Sequence, residues 1–72
     1  MPAKDYDPKF AVYGLCDGTM GATMLMAATN YHEAEEWVTN YTRWGDFGGY
    51  DEIRVVHLLD GDVVHSVRAD GD

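Results

Sequence analysis

The chain has 72 residues, 46% of them hydrophobic, and thirteen acidic against five basic side chains for a net charge of −8. That length allows one small domain, near the lower limit at which an apolar core suffices without disulfides or metal, and the hydrophobic content is too high for a disordered chain. The charge disfavours direct binding to nucleic acid or to anionic membrane and favours a basic partner; solubility or life in high salt is the competing account, given nine Asp and only two Lys.

Residues 1–9 are polar with two prolines and read as a flexible tail, not as a secretory segment. Phe10–Cys16 (FAVYGLC) is aromatic, β-branched and apolar, and it stops at Asp17-Gly18, a turn signal, so it reads as a first strand. Ala22–Thr29 (ATMLMAAT) has strand length and follows as the return arm of a hairpin, although its Ala and Met content leans toward helix. No apolar run approaches the ~20 residues that cross a bilayer, so a soluble chain is expected. Cys16 is the single cysteine, which excludes an internal disulfide and makes a reducing, cytoplasmic setting the expectation.

Asn30 with Glu33 three residues on has the form of a helix N-cap and its capping-box glutamate, with Thr29 as an alternative cap. From there Tyr31, Ala34, Trp37, Val38, Tyr41 and Trp44 recur at three- and four-residue spacing, which predicts an amphipathic helix over 31–44. Glutamates near its start and Arg43 near its end suit the helix dipole, and Gly45 is placed to stop it. After the loop Asp46–Tyr50 (DFGGY), Glu52–Leu59 and Asp62–Ala69 read as a hairpin around Asp60-Gly61, and residues 70–72 as a second tail.

These elements describe one α+β domain of ββαββ order, a four-stranded, mostly antiparallel sheet ordered 2-1-3-4 with the helix on one face. The last hairpin allows two registers. A two-residue turn pairs His57 with Val64 and leaves Val56, Leu58, Val63 and Val67 on the face opposite Ile53, Val55, Leu59 and Val64. A three-residue turn with Gly61 left-handed gathers Ile53, Val55, His57, Leu59, Val63, His65 and Val67 on one face, and Arg54, Val56, Leu58, Val64, Ser66 and Arg68 on the other. In this second register Val56, Leu58 and Val64 form an apolar patch away from the helix, and under either register the uncovered face is more apolar than exposure requires, which points to a homodimer or a protein partner there. The alternative cover is the N-terminal segment with Tyr6 and Phe10 folded back.

Catalytic and metal motifs are missing. His32, His57, His65 and Cys16 are suitable ligand types, but no CxxC, HxH or HExxH spacing joins them, and Asp60-Gly61-Asp62 lacks the rest of a calcium loop. Cys16 has no identifiable base or orienting group, so it reads as a small apolar thiol. Gly14, Gly18 and Gly21 match neither a P-loop nor a dinucleotide fingerprint, and Asp46-Phe47-Gly48 copies a kinase motif in a chain too short for that fold. No enzyme, cofactor or metal is expected. The loop with Trp44, Phe47 and Tyr50 has the composition of a contact surface, while Trp44 and Phe47 turned inward to complete a thin core is the preferred reading.

Placed on this topology, Glu33, Glu35 and Glu36 share one end with Asp60 and Asp62, and Asp17, Asp46, Asp51 and Glu52 share the other. Between residues 10 and 67 only Arg43 and Arg54 are cationic, so both ends are acidic. The layout of a strand, a capped helix with Glu33-Ala34-Glu35-Glu36-Trp37 and a closing hairpin resembles that of small phage-encoded accessory proteins, some of which inhibit host nucleic-acid enzymes.

The expectation is therefore a non-enzymatic, homodimeric acidic interaction module, cytoplasmic (in the host cell if phage-encoded), that engages a basic protein through Glu33, Glu35, Glu36, Asp60, Asp62, Trp44, Phe47 and Tyr50. Its sharper form is an inhibitor or nucleic-acid mimic acting on a nucleic-acid-binding enzyme. The alternatives are a small ligand- or metal-binding domain using His57 and His65, and a structural subunit of a homo-oligomer.

Overall fold

A computed structural model describes residues 8–18 and 20–69. The tail residue Tyr6 and residues 70–72 lie outside the described residues. The chain forms β1 (Phe10–Leu15), β2 (Thr23–Ala28), α1 (Tyr31–Tyr41), β3 (Glu52–His57) and β4 (Asp62–Arg68). The sheet order is β2-β1-β3-β4 with every neighbouring pair antiparallel, and α1 packs on one face, so the domain is a small α+β unit. Lys9, placed in the tail by its composition, is tied to the sheet: its N–H donates to Ala28 C=O at 2.9 Å and its C=O accepts from Leu58 N–H at 2.8 Å.

The helix begins as its capping residues require. Asn30 is extended, and its side-chain oxygen accepts the Glu33 N–H at 2.8 Å, while the Glu33 carboxylate reaches back to the N–H and hydroxyl of Thr29. Such a cap contributes about 1 kcal/mol. The helix ends at Tyr41, three residues before the expected Trp44. Thr42, a poor helix former, caps it: both its N–H, at 3.0 Å, and its hydroxyl, at 2.9 Å, donate to Val38 C=O. Gly45 then takes positive φ and turns the chain away.

The core lies between α1 and the sheet and consists of Val12, Ala28, Ala34, Val38, Phe47, Ile53 and Val55, with Tyr31, Trp37, Tyr41 and Tyr50 packed against it. Trp37 and Tyr41 stack with ring centroids 4.7 Å apart. The early helix end reverses the expectation for Trp44, which is 86% exposed, and Phe47 alone turns inward. Phe47 and Tyr50, grouped with the contact residues above, are core and half-buried respectively and are not a free surface. Tyr50 lies flat on Gly14 of β1, so closely that a side-chain carbon on Gly14 would stand 2.7–2.8 Å from three of its ring atoms. A glycine within a strand here allows close approach of an aromatic ring.

The register of the β3–β4 hairpin follows the three-residue-turn pattern only away from the tip, and at the tip it matches neither expectation, since His57 pairs with Asp62 and not with Val64. Glu52, Ile53, Arg54 and Val55 pair with Arg68, Val67, Ser66 and His65, but Val56 and His57 pair with Val63 and Asp62, so Val64 is an extra residue in β4. A matching shift leaves Leu25 as the extra residue of β2. The two outer strands thus each carry a bulge, a device that disrupts edge-to-edge pairing. Because the bulge flips the alternation, Val63 joins Val56 on the face opposite the helix. Val64 is displaced from the apolar row proposed for it, and Leu58 lies in the four-residue turn 58–61 instead of on the sheet.

Candidate functional site

Adjacent register rows define the face opposite α1. Ala27, Ala11, Val56 and Val63 form one row, Met24, Tyr13, Arg54 and Ser66 the next, and Leu15, Glu52 and Arg68 the last. The apolar row lies toward the end where β3 turns into β4, and charge collects at the other end. Phe10 is not part of this face: its neighbours in the register are Ala28 and His57, and its ring meets Tyr31 at 5.9 Å and His57 at 4.9 Å.

At the charged end, acids and arginines are joined. Glu52, its side chain only 12% exposed, takes Arg54 Nε at 2.7 Å and Arg68 Nη1 at 3.2 Å, and Arg68 Nη2 reaches Asp17 at 2.8 Å. The Glu52 hydrogen bond, with its charge, holds the Arg54 guanidinium protonated above its ordinary range. Asp51 accepts the Asp17 N–H at 2.7 Å and Asp46 accepts the Gly48 N–H at 2.9 Å, so both carboxylates serve the local backbone. Cys16 donates its thiol to Gly49 C=O at 3.4 Å. Arg68 thus binds two carboxylates of this sheet end, Glu52 and Asp17.

The opposite end is arranged differently. The register brings Ala28, Phe10, His57 and Asp62 into one row, and only two residues separate β2 from α1, so Glu33, Glu35 and Glu36 share this end with the 58–61 turn. Among the described residues no Lys or Arg pairs with Glu33, Glu35, Glu36, Asp60 or Asp62. Asp60 accepts the Asp62 N–H at 3.2 Å and faces His57 Nδ1 at 3.2 Å.

The Asp62 N–H holds the Asp60 carboxyl below the usual carboxylate range, and the His57 contact adds to this. A depressed folded-state value means that the stabilisation is present above the unfolded-state pKa and is lost as pH falls through the lower, folded one. Asp60 is therefore expected to titrate at lower pH than a free aspartate by carboxyl-carbon NMR, and Asp62→Pro, which removes the N–H, to raise its midpoint. An unchanged midpoint would contradict the assignment.

Comparison with protein-family models, with curated proteins and with solved structures finds no match to this chain. The surface chemistry is then the functional information in hand. His57 and His65 lie on the same face of neighbouring strands, but His57 is engaged with Phe10 and Asp60, and no group of three or more potential metal ligands occurs among the described residues. Among those residues, too, no helix is long and apolar enough to cross a membrane. What sequence reasoning missed is the inequality of the two acidic ends, since Asp17 and Arg68 meet across 51 positions of chain.

Proposed function

We propose that the protein is a non-enzymatic interaction module whose second acidic end, Glu33, Glu35, Glu36, Asp60 and Asp62, with no Lys or Arg partner among the described residues, engages a basic protein. One observation carries this reading: arginines take up the acids Asp17 and Glu52 at one end, and none reaches the acids at the other. A net −8 chain presenting this end steers cationic surfaces toward it, and the attraction weakens with salt. Imitation of a nucleic acid across the whole surface is less well supported, because an end closed on itself by two guanidinium groups does not present a run of free phosphates.

The test is quantitative capture at low ionic strength with wild type and a Glu35→Gln, Glu36→Gln, Asp60→Asn, Asp62→Asn variant. A basic protein identified by mass spectrometry should bind the wild type, release at high salt and lose at least tenfold in affinity for the variant. Equal affinity for both would remove the acidic end from consideration.

A second copy on the face opposite α1 is the competing reading, favoured by the row Ala27, Ala11, Val56 and Val63. Four strands about 4.8 Å apart and six residues long project to roughly 400 Å². That is about half of the ~800 Å² per partner found in stable interfaces, so self-association through this face alone is weak.

A further inference from the structure

Among the described residues seven large apolar side chains stand exposed, and four of them lie on one hairpin tip: Leu58 at 40%, Leu59 at 87%, Val63 at 50% and Val64 at 42%. Isolated exposed leucines are ordinary, but four large exposed apolar residues within positions 58–64 are a local concentration on one hairpin tip. Its position follows from the bulge, which ends β3 at His57, leaves Leu58 and Leu59 in the turn and sets Val64 out of register. Beside it an open depression of about 260 Å³ is lined by Pro8, Lys9, His57, Leu58 and Leu59, with room for one large side chain.

The tip is held in shape. Leu58 N–H donates to Lys9 C=O and Gly61 N–H to His57 C=O, each at 2.8 Å, and Asp60 fastens both Asp62 N–H and His57. A docking partner therefore meets a surface whose ordering cost is already met. Charge decides the class of partner. Asp60 and Asp62, both exposed, interleave with the four apolar residues, and no basic residue occurs between 58 and 64. A second copy would set these aspartates against their equivalents, whereas a cationic segment neutralises them.

We propose that the hairpin tip 58–64 is the docking point for a basic amphipathic segment of the partner. One apolar side chain of that segment enters the depression between Lys9 and Leu59, and flanking lysines or arginines meet Asp60 and Asp62. This rests on the acidic-end reading above and adds an apolar anchor to it.

The experiment titrates the isotope-labelled full chain with two synthetic probes, a peptide of alternating Lys and Leu and an oligolysine of equal charge, followed by amide NMR shifts. The Lys/Leu peptide should shift Lys9 and Leu58–Val64 and bind about tenfold tighter than oligolysine, a difference of about 1.4 kcal/mol. Leu59→Ser, at a side chain too exposed to threaten folding, should abolish that advantage and leave oligolysine binding unchanged. Equal affinity for the two probes, or a Leu59→Ser variant that keeps the tenfold preference, overturns the anchor. Oligolysine binding that is lost on substituting Glu35, Glu36, Asp60 and Asp62 would still uphold the acidic end, and failure of both probes at low salt overturns the two together.

Discussion

Ile53→Ala is expected to destabilise the domain by about 3–4 kcal/mol, within the range for truncating a buried Ile, and to lower the melting temperature by roughly 12–30 °C. Ile53 is fully buried between Gly14 and Val67 in the sheet register, beneath α1, in a core cluster of seven buried residues among those described. So small a core cannot collapse around the lost methyl groups, and a 72-residue chain has only roughly 4–11 kcal/mol of stability in total. Trp44→Ala is the control: the larger side chain is exposed, and its removal should change stability by less than about 0.5 kcal/mol. Urea denaturation of the two variants checks both statements, and comparable losses would contradict the observed end of α1.

Gly14→Ala is expected to cost about 1–3 kcal/mol through overpacking, although alanine is ordinarily the better strand residue. The added carbon has no room because the Tyr50 ring occupies its place, and that ring is packed against the core, so making room costs packing. The sign should change in a Tyr50→Ala background, where the same substitution becomes neutral or stabilising as only the backbone entropy term remains. A double-mutant cycle measures this as a coupling of 1 kcal/mol or more between positions 14 and 50; independent effects would show that the close approach is not what makes Gly14 necessary.

These two sites differ in how far they were readable. Ile53 sits in an alternating strand, and its burial follows from the pattern Ile53, Val55, His57 once the helix has a face to cover. Gly14 reads from the sequence only as a glycine within the first strand, because its partner is 36 positions away and nothing local marks it. The helix shows the same division: Asn30 and Glu33 define its start within one turn, whereas its end required knowing that Thr42 would fold back on Val38 and that Phe47, not Trp44, would close the core. The surface was legible only in part. The acids could be assigned to two ends from strand directions, but their unequal pairing depends on Arg68 lying beside Asp17 and Glu52.

The order of elements, the helix cap, the antiparallel 2-1-3-4 sheet and the acidity of both ends were determined by the sequence alone. Each depends on periodicity or turn chemistry among residues a few positions apart, or on strand directions that follow from them. The bulges at Leu25 and Val64, the removal of Leu58 from the sheet, the seat of Tyr50 on Gly14 and the closure of one acidic end by arginines were decided by the tertiary structure. These depend on how separate strands align when their side chains compete for one small core, and a shift of a single residue in that alignment changes which face every later side chain occupies.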